Sequence, residues 1–230
     1  MTAEPVFVLV HSPLVGPYSW ALVADALRAR GRLVVVPPIR SLDQEGPPFW
    51  KRHVEAVGRT VESTHPDRVV LVGHSGAGRI LPLCGQRIPA DISAYVFVDS
   101  DIPAKPESRL DGMPDDVAQQ FRDAAQDELL LPWPEEVFKP EIEDESVRNR
   151  LVSELSPLPL AVYQEAIPLP EEWPDAPCAY IRLSHRYPHS LDRAQQEGWA
   201  VRSFEGDHFF ILVDPHAVAS ALIDIVSKPP

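Results

Sequence analysis

One stretch constrains this chain more than any other: Val69-Val70-Leu71-Val72-Gly73-His74-Ser75-Gly76-Ala77-Gly78. Four β-favouring apolar residues run into a turn of small residues around a single serine, and a helical run is expected from Arg79 to about Ile88. Strand, sharp turn with a central serine, helix is the context a nucleophile elbow requires. A turn that tight excludes bulky neighbours. Gly73 and Ala77 sit two residues either side of Ser75, and Gly76 and Gly78 are small as well. The strict pattern ends in glycine; Ala77 stands there instead and is nearly as small. An ordinary Gly-rich turn would read the same in isolation, so the serine needs partners elsewhere in the chain.

Other apolar runs supply the ends at which such partners could stand. Pro5 to Val10 suits a strand buried on both faces of a parallel sheet, and it leads into His11-Ser12-Pro13. A helix is expected over Ser19–Arg30, stopped at Gly31. Leu33–Val36 reads as a strand, Ile39–Pro48 as loop and Phe49–His65 as helix. The strand Ile92–Val98 ends in Asp99-Ser100-Asp101, and Cys178–Leu183 is a further strand with a helix near Leu191–Glu197. The last strand, Ala200–Phe204, precedes Glu205-Gly206-Asp207-His208, and a helix is expected over Pro215–Ser227. Strands alternating with helices imply a mostly parallel sheet covered on both faces. Ligands in such sheets bind beyond the carboxyl ends of the strands. Four such ends carry reactive or polar groups: Ser12, Ser75, Asp99 and His208.

The texture changes between Ile102 and Pro177. Helical patterns cover about Asp115–Leu130 and Asp144–Leu155, separated by P-x-P pieces, and no strand pattern is evident. The expected organisation is therefore a core of residues 1–101 and 178–230 with a helical, Pro-stiffened lid, residues 102–177, inserted between two sheet strands. The acidic run Pro134 to Glu145 reads as a solvated face. Trp133, Phe138, Tyr163 and Trp173 read as lid-to-core packing, with a share in a substrate pocket.

The net charge of −13 argues against nucleic acid and anionic membrane surfaces as partners, leaving a small-molecule substrate. A homodimer stays open. The two cysteines, Cys84 and Cys178, lie in apolar segments without metal-like spacing. Met1-Thr2-Ala3-Glu4-Pro5 shows no basic region leading into an apolar one, and no apolar run approaches the ~20 residues of a spanning helix, so a cytoplasmic location is the default expectation. Nothing calls for a cofactor or a metal. His185 and His189 are four apart, but Pro188 argues against a helix between them.

With the elbow, the late His208 and the mid-chain insertion, the chain resembles the α/β-hydrolase fold. Within it the resemblance is to the compact esterase and hydroxynitrile-lyase group that includes the plant methylesterases. There the first long strand ends in His, then a small or hydroxyl residue, with Trp nine positions after the His; here these are His11, Ser12 and Trp20. The resemblance spans Val6 to Val226. It implies that Ser75 is the nucleophile, His208 the base and the Gly76 N–H one oxyanion donor.

A serine hydroxyl needs a base, and His suits because its pKa lies near working pH. His74 points away from the site in the family pattern, His11 reads as structural, and His53, His65 and His216 as surface or helix residues. The acid of this fold falls between the serine and the histidine in chain order. The strand after the insertion ends Leu183-Ser184-His185-Arg186-Tyr187, with no carboxylate. Asp99, at the position some members use, is the expected acid, with Asp192 the main substitute and Asp101 behind it. The departure that matters is Pro13. It has no N–H, yet it falls where the second oxyanion donor usually stands. Either the Leu14 N–H or the Ser12 hydroxyl must replace it. The leading function is a serine hydrolase for a small, mostly apolar ester or lactone. A cofactor-free lyase, dehydratase or cyclase using Ser75 and His208 for proton transfer is the second, and a slow-turnover binding protein the third.

Overall fold

The computed structural model describes residues 4–39 and 46–227. In it the run ahead of the serine turn becomes strand β3 (Arg68–His74), inside the sheet and buried from Val69 onward. It pairs on one side with β1 (Val6–Val10) and on the other with β4 (Asp91–Val98). Strands β2 (Val34–Val35), β8 (Cys178–Arg182) and β9 (Ala200–Ser203) complete a six-stranded sheet in the order β2-β1-β3-β4-β8-β9, every neighbouring pair parallel.

Register decides what the sheet can present. Val10 lies opposite Gly73, His74 opposite Val98 and Val98 opposite Ile181. Four strands therefore stop at one rim, and the next residues along each chain, His11-Ser12, Ser75, Asp99 and Leu183-Ser184, share it. Side chains alternate across the sheet with period two. Phe7, Leu9, Val70, Val72, Val96 and Val98 pack on one face with α1 (Tyr18–Arg28) and α9 (Pro215–Ser227). Val6, Val8, Val69, Leu71, Tyr95 and Phe97 pack on the other with α2 (Phe49–Glu62) and α3 (Leu81–Arg87). Nearly every strand residue at the centre is fully buried, which is why these runs read as continuously apolar.

Outside the excursion between β4 and β8, the expected helices and strands are present with ends moved by at most three residues. The turn after β3 differs in kind: Ser75–Ile80 is a 3-10 helix that passes into α3, where one helical run was expected. Of the loop Ile39–Pro48, residues 40–45 lie outside the described residues, as do Met1 to Ala3 of the N-terminal segment. Among the described residues no helix is long and apolar enough to cross a membrane.

The excursion between β4 and β8 corrects one expectation. It contains helices α4 (Asp115–Ala124), α5 (Glu145–Ser153) and α6 (Ala161–Gln164), but also a small antiparallel sheet of β5 (Ala125–Gln126), β6 (Leu129–Leu130) and β7 (Leu158–Pro159). The helix expected to reach Leu130 stops at Ala124, where the chain turns back through Asp127 and Glu128, both at positive φ (49° and 61°). Positive φ at both central residues is the hairpin turn that Asn-Gly normally marks. Here Asp-Glu fills it, and two-residue strands are too short to show an alternating pattern. The acidic run is not simply a solvated face either. Glu135 pairs with Arg148, and Glu141 reaches the core, as described below.

Candidate active site

Ser75 holds φ at +56°, a left-handed conformation that a residue with a Cβ rarely adopts. The surrounding structure enforces it. The Ser100 hydroxyl donates to the Ser75 carbonyl at 2.7 Å. Because a trans peptide points its C=O and N–H opposite ways, this bond turns the Gly76 N–H away from Ser100. The small residues of the turn are required by contact: a Cβ on Gly78 would lie 2.0 Å from Ser100 Oγ and 2.3 Å from the Asp101 carbonyl. Ala77 is fully buried and fits.

His208 follows β9 in the loop ahead of α8 (Phe210–Val213). Its Nδ1 donates to Asp99 Oδ2 at 2.7 Å, and both residues are buried. Asp99 itself sits at φ +41° just past β4. Its other bonds come from the loop after β8: Leu183 N–H and Ser184 N–H on Oδ1 at 3.1 and 2.9 Å, and the Ser184 hydroxyl on Oδ2 at 2.6 Å. Burial alone would raise the Asp99 pKa. The hydrogen bond and charge of His208, with the Ser184 donors, outweigh it and hold the carboxyl below the usual range. Of the three carboxylates weighed from the sequence, Asp99 is the one on His208. Asp101 pairs with Arg79, and Asp192 is exposed on α7 (Pro188–Gln196).

The remaining histidines take the places their environments allow. His74 is fully buried and turned to the back of His208. Its Nε2–H donates to the His208 carbonyl at 3.0 Å, and the two rings are 4.5 Å apart. Desolvation, then the neighbouring His208 charge, lower its pKa, so it stays neutral. Trp20, nine residues after His11, packs edge-on against His74 and donates to the Val10 carbonyl at 3.1 Å. His11 donates to the Ser12 carbonyl and accepts from the Ile39 N–H, which fixes the loop after β1. His53, expected on a surface or helix, is on α2 and fully buried.

That loop carries the departure at Pro13. The Val15 N–H bonds the Ser12 carbonyl at 3.1 Å, so Ser12 to Val15 is a turn with Pro13 at its second position, where its fixed φ belongs. The Leu14 N–H is directed at Ser12 Oγ (3.4 Å), and the Ser12 and Tyr163 hydroxyls are 3.5 Å apart. Both face the elbow. A Cβ on Gly76 would lie 3.1 Å from the Tyr163 hydroxyl and 3.3 Å from Ser12 Oγ. Arg109, bonded to the Gly76 and Val162 carbonyls at 3.0 Å each, lies over the Tyr163 ring. A cavity of about 360 Å³ opens beside this cluster, lined by Leu14, Phe121, Leu130 and Trp133 among others. Phe121 in turn stacks on Tyr163. Trp173, by contrast, packs against Tyr95, Phe97 and Trp199 in the core.

Sequence reasoning missed Tyr187. Its hydroxyl is 3.3 Å from Ser75 Oγ, and its ring centroid is 5.9 Å from that of His208. Ser75 Oγ is hydrogen-bonded to Tyr187 and not to His208 in this state. Ser184, Ser100 and Glu141 were missed as well. The only signal for Ser184 and Tyr187 was their place just past the carboxyl end of β8.

A model described as the Alpha/beta hydrolase family matches residues 7–221. A carbendazim hydrolyzing esterase of Nocardioides sp. is 28% identical over 243 aligned residues, covering 94% of this chain and 97% of its own. Esterase PIR7B of Oryza sativa subsp. japonica is 32% identical over 109 residues, 42% of this chain and 39% of that protein. Among solved structures, an extracellular alpha/beta-hydrolase from a Paenibacillus species shares structural and functional homology, by its description, with tobacco salicylic acid binding protein 2. It is similar at TM-score 0.78 and 20% identity, covering 96% of this chain and 99% of that one, a likeness of fold alone. Both curated relatives are named esterases, in keeping with the resemblance carried by His11, Ser12 and Trp20. Because the family match begins in β1 and ends in α9, it takes in the whole sheet and its rim, and the chain belongs to the α/β hydrolase family.

Proposed function

We propose that the protein is a carboxylic ester hydrolase acting on a small, mostly apolar ester or lactone, with Ser75 as nucleophile, His208 as base and Asp99 as the acid that orients it. The observation that carries this reading is the buried 2.7 Å bond from His208 Nδ1 to Asp99, beside a serine held at φ +56° on the same rim. Nδ1–H donation leaves Nε2 as the basic nitrogen. On substrate binding Ser75 Oγ turns from Tyr187 to His208; catalytic hydrogen bonds that are loose in an empty site tighten in the Michaelis complex.

Ser75 Oγ then bonds the ester carbonyl carbon as its proton passes to His208 Nε2, and the carbonyl π pair moves onto oxygen. The Gly76 N–H and the Ser12 hydroxyl receive that oxyanion. With the Leu14 N–H aimed at Ser12 Oγ, the hydroxyl is the better replacement for the donor Pro13 lacks. Collapse breaks the C–O bond of the alcohol, which leaves with the proton from His208. Water repeats the cycle on the acyl-enzyme and regenerates Ser75. The cavity beside Leu14 and Phe121 supports an apolar substrate portion, and the esterase names of the relatives support the reaction class.

A fluorophosphonate probe tests the reading. Rapid stoichiometric labelling of Ser75, with p-nitrophenyl acetate turnover lost in Ser75→Ala, is expected. Pro13 and the hydroxyls around the elbow favour a second reading, proton transfer by Ser75 and His208 in a lyase, dehydratase or cyclase. Labelling of Ser75 without turnover of any ester would favour it, or the slow-turnover binding protein, over the hydrolase.

A further inference from the structure

The sheet order divides the surroundings of Ser75 into two sides. On one side of β3 lies β1, whose loop carries Ser12; on the other lie β4, which leads into Asp99, and β8, whose loop carries Tyr187. The Gly76 side is occupied by the Ser12 and Tyr163 hydroxyls. The His208 side is occupied by Tyr187, whose hydroxyl approaches Ser75 Oγ to 3.3 Å while its ring neighbours the imidazole. Whatever is bonded to Ser75 Oγ during reaction must therefore meet this hydroxyl. In acyl transfer the departing oxygen lies on the base's side, because the base is what protonates it.

We propose that Tyr187 is a further catalytic residue, its hydroxyl donating a hydrogen bond to the alkoxy oxygen of the substrate as the C–O bond breaks. The proposal rests on the ester-hydrolase reading. In the resting site Tyr187 bonds Ser75 Oγ. When Oγ turns to His208 and attacks, the Tyr187 donor passes to the leaving oxygen. As the bond from the acyl carbon breaks, its electron pair stays on that oxygen. The proton comes from His208 Nε2, so the alcohol departs neutral, Tyr187 keeps its own proton, and no other reagent is required. Desolvation raises the Tyr187 pKa, which suits a hydroxyl that donates without ionising. The tyrosine is positioned for this by the same loop that holds the acid. Three residues before it, Ser184 bonds Asp99 through its hydroxyl and its N–H. Arg186, directly before it, is bonded at 2.6 Å to Glu141.

The discriminating variant is Tyr187→Phe, measured with two acetate esters: p-nitrophenyl acetate, whose leaving group departs without help, and a simple alkyl acetate, whose alkoxide needs it. The expected result is a fall in kcat/KM of about 10- to 100-fold for the alkyl ester, the range for a hydrogen bond to a developing charge. For p-nitrophenyl acetate the change should be less than about threefold by the same reasoning. Fluorophosphonate labelling of Ser75, in which fluoride leaves, should keep its wild-type rate, and this also shows that the variant is folded. Equal losses on both esters would overturn the proposal and assign Tyr187 to the oxyanion or to structure. Faster labelling and faster turnover of both esters would also overturn it, since Tyr187 would then only hold the serine back. Absence of labelling in the wild type would refute the nucleophile itself, and is distinct from either result.

Discussion

Replacing Asp99 with asparagine tests the site at its most determined point. Asp99 accepts four hydrogen bonds, two on each oxygen. An asparagine can keep its carbonyl oxygen toward the N–H groups of Leu183 and Ser184, because nothing else there can accept from them. Its NH2 group must then face the Ser184 hydroxyl and His208 Nδ1. The hydroxyl can rotate and accept; the ring can accept only by moving its proton from Nδ1 to Nε2. That tautomer presents N–H toward Ser75 and cannot take its proton. The volume is unchanged, so the fold should persist while kcat/KM falls about 10³- to 10⁴-fold, or ~4–5 kcal/mol, the loss expected of a wrong tautomer. Steady-state hydrolysis of p-nitrophenyl acetate measures it, with a thermal melt to confirm folding. The exposed Asp192→Asn should match wild type. An Asp99→Asn enzyme retaining more than a tenth of wild-type kcat/KM would refute the assignment of the acid.

Further consequences follow from the same geometry. Ser12→Ala should lower kcat/KM by about 10²- to 10³-fold with little change in thermal stability, as for loss of one oxyanion donor. Ser12→Thr should retain most of the rate. A Ser12→Ala enzyme near wild type would pass the role to the Leu14 N–H. Gly78→Ala should destabilise by at least ~1–3 kcal/mol, because the added methyl meets a backbone carbonyl that cannot swing aside; an unchanged melting temperature would contradict the turn geometry. His74 is held neutral, so below its unfolded pKa of about 6.5 the unfolded chain binds a proton the folded one does not. Stability should therefore fall as pH drops below about 6.5, by up to ~1.4 kcal/mol per unit. Asp99, depressed when folded, adds its own loss only as pH falls below about 4. His74→Gln should flatten the melting curve against pH between about 6.5 and 4.5; parallel curves for the two proteins would refute the buried neutral histidine.

The sheet and the rim position of three candidate-site residues were legible because they depend on short-range rules. Continuous β-branched runs mark buried parallel strands, and a reactive residue directly after such a run must stand at the rim. Ser75, Asp99 and Ser12 could be found this way; His208 needed the chain order of the family as well. Tyr187 could not. It is five residues past the end of β8, and which way a loop side chain points depends on contacts made elsewhere, here Ser184 on Asp99 and Arg186 on Glu141. The hairpin of β5 and β6 was hidden for a local reason. Its turn holds two acidic residues at positive φ, so neither glycine nor asparagine announced it.

The docking of the excursion onto the core explains where part of the acidic charge goes. In a parallel sheet with right-handed crossovers, helices begin at the rim where strands end, and the first N–H groups of each helix lack partners within it. Three glutamates of the excursion meet such groups. Glu154 accepts from the Tyr18 N–H at the start of α1, and it reaches there only because Gly16 has no side chain, whose Cβ would sit 2.3 Å from its carboxylate. Glu165 accepts from the Phe49 and Trp50 N–H groups at the start of α2. Glu141 accepts from the Phe209 N–H beside His208. Glu154 and Glu165 sit at the positive ends of α1 and α2, where a carboxylate is stabilised by the macrodipole. Burial raises the pKa of Glu165 all the same, so its desolvation is not fully offset by the two donors. The excursion is thus held on the rim in part by main-chain donors, which the sequence does not reveal, and in part by ion pairs such as Arg186 with Glu141 and Arg79 with Glu107. The Gly76 N–H belongs to the same class of group, in the first turn after β3. Where the glutamates occupy their helix ends, the proposed mechanism assigns this one to the charge that develops on a substrate oxygen.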